Sequence, residues 1–165
     1  MQAIMKGFQS ALCAAVSLMW VLILATTAFG ADNFTGTWKL NLQMSQYNPG
    51  PPPRSLTSRV EGMGDTINFT FDGYDSNGAA IVPEELSIKL DGKDYPIADD
   101  PTRDTVAMKK IDDYTTEETN KKDGKVTTIT RTVYAKDGKS RTATTTGTNV
   151  DGQKINNVAF FDRLR

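Results

Sequence analysis

Beyond residue 30, bulky apolar residues alternate with polar ones along most of the chain. Phe34, Trp38, Leu40 and Leu42 share one parity, and the same spacing of two recurs in Ile67-Phe69-Phe71, Leu86-Ile88-Leu90, Val106-Met108 and Ile129-Val133. Because successive side chains of a strand point to opposite faces, this spacing predicts strands with one buried face. No segment after residue 30 shows a convincing 3.6-residue apolar period, so the pattern predicts an all-β domain.

Turn-forming dipeptides separate these runs. Asp-Gly and Asn-Gly favour the tight hairpin turns in which both central residues adopt positive φ. They occur at Asp72-Gly73, Asn77-Gly78, Asp91-Gly92, Asp123-Gly124, Asp137-Gly138 and Asp151-Gly152. Counting the runs between them predicts about eight or nine antiparallel strands, a spacing typical of sandwiches and barrels.

The first thirty residues have the features of a signal peptide. Lys6 precedes an apolar stretch from Ala11 to Ala25, and small residues at Ala28 and Gly30 predict cleavage after Gly30. The expected organisation is therefore a signal peptide over 1–30 and one domain over 31–165, secreted or periplasmic and with no stable membrane insertion after cleavage. The alternative is an uncleaved anchor, because the apolar run approaches the length of a spanning helix.

Composition excludes several classes of function. The chain has no His, and its one Cys, Cys13, lies in the predicted signal peptide. The domain therefore lacks the residues for a disulfide, a Cys or His metal site, or a Ser-His-Asp triad, and we expect no catalysis, no metal and no cofactor. Removing Lys6 leaves 18 basic residues against 20 acidic residues, a net charge of −2 that argues against nucleic acid as a partner.

The first strand and the loop after it carry a resemblance to a family. The segment Phe34-Thr-Gly-Thr-Trp-Lys-Leu-Asn41 contains Gly-x-Trp, and Asn48-Pro-Gly-Pro follows it. This order resembles the small exported lipocalin-like proteins of environmental bacteria, which are calycin-type β-barrels without an established function. The resemblance implies an antiparallel up-and-down β-barrel, closed near the first strand and open at the other end, and a small apolar ligand in some members. It also implies that a late arginine, here Arg163, packs across Trp38.

The predicted ligand-binding residues are those whose alternation places them on one face of their strands. They are Trp38, Leu40, Phe69, Phe71, Ile88, Met108 and Ile129. They would line a barrel interior that binds a small hydrophobic ligand, either apolar or amphipathic. The alternative is a structural or protein-interaction β-domain of the cell envelope, with a packed core and no ligand. The Thr-rich late strands leave both open, because threonines can line a polar space or face solvent.

Two further segments lead to expectations that the structure can address. The segment Tyr47–Pro53 is too rich in proline for a helix or a central strand, and it predicts a stiff loop that is either a spacer or a lid. Paired carboxylates such as Glu117-Glu118 are adjacent in sequence, so a strand would place them on opposite faces. We therefore expect no acid–base dyad from them.

The signal peptide leads to a direct prediction. Expressed in a bacterium with an export pathway, the full chain should yield a mature protein that begins at Ala31, as read by mass spectrometry. Ala28→Glu should block processing, because a large charged residue replaces the small one three positions before the cut. An exported wild-type chain that keeps residues 1–30 would contradict the prediction and favour the anchor.

Overall fold

The computed structural model describes residues 33–63 and 66–165, so the predicted signal peptide and its cleavage site lie outside the described residues. The described residues form ten strands and a short 3-10 helix at Leu42–Met44. The strands are β1 Gly36–Leu40, β2 Ser55–Met63, β3 Thr66–Tyr74, β4 Ala80–Lys89, β5 Asp91–Pro96, β6 Thr105–Asp112, β7 Thr115–Lys122, β8 Lys125–Tyr134, β9 Ser140–Thr148 and β10 Lys154–Leu164. No helix in these ranges is long and apolar enough to span a membrane.

All ten strands belong to one antiparallel sheet with the spatial order β4-β3-β2-β1-β10-β9-β8-β7-β6-β5. Strands adjacent in sequence are therefore neighbours, except that β1 pairs with β10 and β4 and β5 form the two edges. Buried Leu86 and Ile88 on β4 belong to the same apolar cluster as Val106 and Met108 on β6. The edges thus approach through packed side chains, and the prediction of an all-β, antiparallel up-and-down barrel is confirmed.

The strand count and two of the predicted turns need correction. The described residues form one or two strands more than predicted, because β4 and β5 are separated by Leu90 alone. The reversal therefore comes one residue before Asp91-Gly92, which lies inside β5. Asp72-Gly73 lies inside β3, where the register with β4 shifts between Phe71 and Gly73. Here the glycine accommodates a bulge rather than a turn, and a dipeptide alone does not distinguish these two uses.

Trp38 closes one end of the barrel. Its side chain is 0% exposed. The Arg163 Cζ atom lies 5.0 Å from the centre of the Trp38 ring, which confirms that this arginine packs across the tryptophan. The Arg163 guanidinium also donates hydrogen bonds to the carbonyl oxygens of Thr35 and Gly138. A Cβ at Gly36 would lie 2.7 Å from Arg163 Nε, so the glycine of Gly-x-Trp leaves room for the guanidinium.

The proline-rich loop runs beside β10 toward the other end of the barrel. Gln46 forms an isolated bridge with Val158. The Asn48 N–H donates to Asn157 Oδ1 over 2.8 Å, and the Asn156 N–H donates to the Asn48 carbonyl oxygen over 2.7 Å. These contacts hold the loop against the sheet without a regular ladder, as its prolines require.

The closed end predicts a stability effect. Arg163→Met should lower the free energy of unfolding by about 2–4 kcal/mol, because it removes a cation–π contact and leaves two carbonyl oxygens without their charged donor. Urea denaturation measures this loss. The control Arg165→Met changes an exposed terminal residue and should leave stability unchanged. An Arg163→Met protein as stable as the wild type would show that the contact contributes nothing.

Candidate functional site

A cavity of about 370 Å³ opens at the end of the barrel opposite Trp38. The loop between β5 and β6, the facing ends of β7 and β8, and the turn between β9 and β10 meet there. We call it the mouth cavity. Its lining combines charged, amide, hydroxyl and aliphatic groups: Asp100, Thr102, Arg103, Asn120, Thr127, Thr128, Asn149, Val150 and Ile155.

Strand register shows which side chains of β7 face the interior. Glu118 is the Cα partner of Met108 on one side and of Thr130 on the other. Directly opposed residues of an antiparallel pair point to the same face, so Glu118 shares the inner face with buried Met108. Asn120 follows two residues later and pairs with Val106 and Thr128. β7 therefore contributes a carboxylate and an amide to the interior.

These groups form a hydrogen-bonded cluster around Arg103, which we call the Arg103 cluster: Asp100, Arg103, Glu118 and Asn120. Arg103 Nε donates to Asp100 Oδ2 over 2.8 Å, and Arg103 Nη1 donates to Asn120 Oδ1 over 3.0 Å. Arg103 Nη1 lies 3.7 Å from Glu118 Oε1, which also accepts a 2.8 Å hydrogen bond from Asn120 Nδ2. Two carboxylates thus share one guanidinium.

The surroundings of Asp100 shift the pKa of its carboxyl group. Burial acts to raise the pKa, but hydrogen bonds from the Thr102 hydroxyl and backbone N–H, together with the charge and hydrogen bond of Arg103, outweigh it. The net result is a lowered pKa. The cluster therefore favours the ionised form of Asp100.

The neighbouring carboxylates Glu117 and Glu118 point to opposite faces, as predicted. Glu117 Oε1 lies 2.8 Å from Lys109 Nζ, and its Oε2 lies 4.0 Å from Arg131 Nη1. Arg131 is exposed and Glu118 faces inward, so the two carboxylates do not form an acid–base dyad. No group of three or more His, Cys, Asp or Glu side chains in the described residues could hold a metal ion.

Most of the predicted ligand-binding residues lie together on an apolar wall of the interior. Trp38, Leu40, Phe69, Ile88 and Met108 are buried in the core cluster, and Phe71 packs against it. The Phe69 and Phe71 rings stack with centroids 6.2 Å apart. In the part of the chain that the structure describes, none of the seven predicted residues lines the mouth cavity. That any of them contacts a ligand stays a prediction.

Ile129 does not belong to this group. Tyr134 is buried in the core, and Thr128 and Thr130 point to the same face of β8 because they are an even number of residues away. Ile129 therefore lies on the outer face, and it is 39% exposed. Its Cα partners, Thr119 on β7 and Thr146 on β9, share that face. The prediction that Ile129 lines the interior is therefore wrong. Apart from Tyr134, the inward positions of β8 are threonines, and its β-branched apolar residues face solvent, so hydrophobicity alone misassigns the face.

Arg141 lies at the closed end of the interior and is 7% exposed. Its Cζ atom is 4.7 Å from the centre of the Phe161 ring and 5.1 Å from that of Trp38. Burial lowers the pKa of Arg141, although Tyr134 and Glu118 oppose the shift. Among the described residues, Arg141 Nε, Trp38 Nε1 and Ser58 Oγ have no hydrogen-bond partner.

Five inward or mouth residues were not predicted from the sequence: Asp100, Arg103, Glu118, Asn120 and Arg141. Glu118 and Asn120 alternate with Glu117 and Thr119, so a strand would place one of the two sets inside. The run Thr115–Lys122 contains no apolar residue, however, so nothing in it identifies the buried face. Asp100 and Arg103 lie in a loop, where periodicity gives no information.

The fold is similar to that of two solved small-molecule complexes. A Schistosoma mansoni fatty acid binding protein in complex with arachidonic acid matches with a TM-score of 0.55 and 16% identity, covering 81% of this chain and 97% of its own. The zebrafish ileal bile acid-binding protein complexed with cholic acid matches with a TM-score of 0.50 and 16% identity, covering 80% and 99%. No protein-family model and no curated protein matches the sequence. At this identity the likeness shows the fold.

The lowered pKa of Asp100 predicts a pH-dependent contribution to stability. A carboxylate with a depressed folded-state pKa stabilises the fold above its unfolded pKa, and the stabilisation is lost as the pH falls through the folded value. Asp100→Asn should therefore reduce the free energy of unfolding at pH 7 and have less effect near pH 3, as measured by urea denaturation. The control Asp99→Asn changes the exposed neighbouring carboxylate. An Asp100→Asn effect of equal size at both pH values would exclude the electrostatic explanation.

Proposed function

We propose that this chain is a binding protein that holds a small apolar or amphipathic molecule in the barrel interior. The observation that carries the proposal is the mouth cavity, whose volume of about 370 Å³ lies within the usual range for small-molecule sites. A cavity of this size at the open end favours ligand binding over a fully packed domain. Two proteins with this fold were solved in complex with arachidonic acid and cholic acid, and this supports the proposal through the fold alone.

The two walls of the interior suit an amphipathic molecule. Val106 and Met108 are the Cα partners of Asn120 and Glu118, so the apolar wall begins directly beside the Arg103 cluster. Phe69, Leu86 and other buried side chains continue that wall toward the closed end. A ligand with both an apolar body and a polar group could contact both surfaces.

We further propose that this binding takes place after export. The signal-peptide features of residues 1–30 support this, together with the absence of Cys from the rest of the chain, which leaves no thiol to oxidise outside the cell. The proposal is for a carrier or sensor of a small molecule and not for an enzyme, because the inward carboxylate Glu118 bonds to Asn120 and lies beside Arg103 rather than beside a second carboxylate.

A matched pair of variants tests the binding site. Titration of the purified protein with the neutral apolar dye Nile red should give saturable fluorescence. Thr128→Phe fills the mouth cavity and should weaken dye binding at least tenfold, or about 1.4 kcal/mol. Thr146→Phe makes the same change on the exposed outer face of β9 and should leave the affinity within twofold of the wild type.

Two results would contradict the proposed function. One is a wild-type protein without a saturable dye signal. The other is a Thr128→Phe protein that binds the dye as tightly as the Thr146→Phe control, with both variants folded as judged by circular dichroism.

A further inference from the structure

The charge of the mouth cavity restricts the polar group that a ligand can bring to it. We propose that this group donates hydrogen bonds and carries no negative charge, so that the ligand is an amphiphile with a hydroxyl or ammonium head and not a carboxylate. This inference rests on the proposed function and specifies its ligand class. The head would lie at the mouth, and the apolar tail would extend along the wall that contains Phe69 and Met108.

Arg103 is already engaged by protein groups. Its Nε atom donates to Asp100 Oδ2 over 2.8 Å, its Nη1 atom donates to Asn120 Oδ1 over 3.0 Å, and Glu118 Oε1 lies 3.7 Å from Nη1. The Arg103 side chain is 15% exposed. An entering carboxylate would have to displace Asp100 or accept the repulsion of a second buried negative charge, and either change raises the free energy of binding.

The Arg103 cluster is rich in acceptors. It contains the carboxylates of Asp100 and Glu118, and the Asn120 amide N–H groups that could serve a ligand already donate to Glu118 and to Thr128 Oγ1. A carboxylate can only accept hydrogen bonds, whereas a hydroxyl or ammonium group can donate them to the cluster. The complementary head group is therefore a donor.

The other inward guanidinium, that of Arg141, interacts electrostatically with Glu118. Arg141 lies at the closed end beside the Trp38, Tyr134 and Phe161 rings, and it is not part of the lining of the mouth cavity. Among the charged side chains that line the mouth cavity, Arg103 is paired with Asp100, so a ligand carboxylate would meet no unpaired positive charge there.

Three amphiphiles with the same twelve-carbon chain test the inference by displacing Nile red below their critical micelle concentrations. They are dodecanoate, dodecylamine and the glycerol monoester of dodecanoic acid. We expect dodecanoate to bind at least fivefold more weakly than the tighter of the other two. The ranking of the ester and the amine identifies a hydroxyl or an ammonium head. The discrimination against dodecanoate should shrink as salt is raised, because screening weakens the repulsion.

Glu118→Gln and Glu117→Gln provide a matched pair of variants. Both carboxylates lie on β7 with side chains 22% exposed, but Glu117 faces outward. Glu118→Gln keeps the shape and removes the inward charge, so it should narrow the discrimination against dodecanoate at least threefold. Glu117→Gln should leave that discrimination unchanged.

The outcomes separate this inference from the proposed function. A protein that binds no Nile red refutes the proposed function and this inference with it. A protein that binds Nile red but discriminates less than fivefold between dodecanoate and the tighter of the other two amphiphiles overturns the inference alone. Equal effects of the two glutamine variants would also overturn it, because the inward position of Glu118 would then have no specific consequence.

Discussion

The pairing of the first strand with the last is the constraint on which the barrel depends. Without the β1–β10 ladder, the chain would be two separate meanders, β1 to β4 and β5 to β10. Trp38 and Arg163 are Cα partners in that ladder, and the guanidinium covers the ring. Covering the indole excludes water from the junction, and Gly36 supplies the space that the arginine needs. One contact thus joins chain segments more than a hundred residues apart and closes one end.

Closure of the sheet brings two unlike surfaces to face one interior. The apolar wall comes mainly from β1, β3, β4 and β6, whereas β7 to β9 present mostly hydroxyl, amide and charged groups inward. On the polar wall, side chains form hydrogen bonds with one another, such as the 2.8 Å hydrogen bond between Thr130 Oγ1 and Thr145 Oγ1. Buried polar groups are tolerated when they are hydrogen-bonded, and here their inward orientation leaves room at the mouth for a ligand.

The parts of the fold that could be predicted from the sequence are those in which local preference and burial agree. Alternation identified β3 and the apolar part of β6. Asp123-Gly124 and Asp137-Gly138 marked real turns, in which Asp123, Gly124 and Gly138 adopt positive φ. The Gly-x-Trp resemblance indicated the packing of Arg163, which no local pattern shows.

The rest could not be predicted because the information lies in pairing between strands. β7 has no apolar residue, so its inward face is defined only by its register with Met108 and Thr130. On β8 the β-branched residues Ile129 and Val133 favour the strand conformation but lie on the outer face. Their exposure reverses the usual relation between hydrophobicity and burial. The cluster around Arg103 depends on a loop that meets β7 in space.

The central claim is that a small amphipathic molecule binds in the mouth cavity, and residue-resolved amide chemical shifts test it most directly. Titration of the ¹⁵N-labelled protein with the glycerol monoester of dodecanoic acid should move the resonances of Asn120, Thr128 and Ile155, which line that cavity. Saturable shifts centred on these residues are the predicted result. Shifts centred instead on the outer-face residues Ile129 and Val133, or no saturable shift at all, would contradict the account.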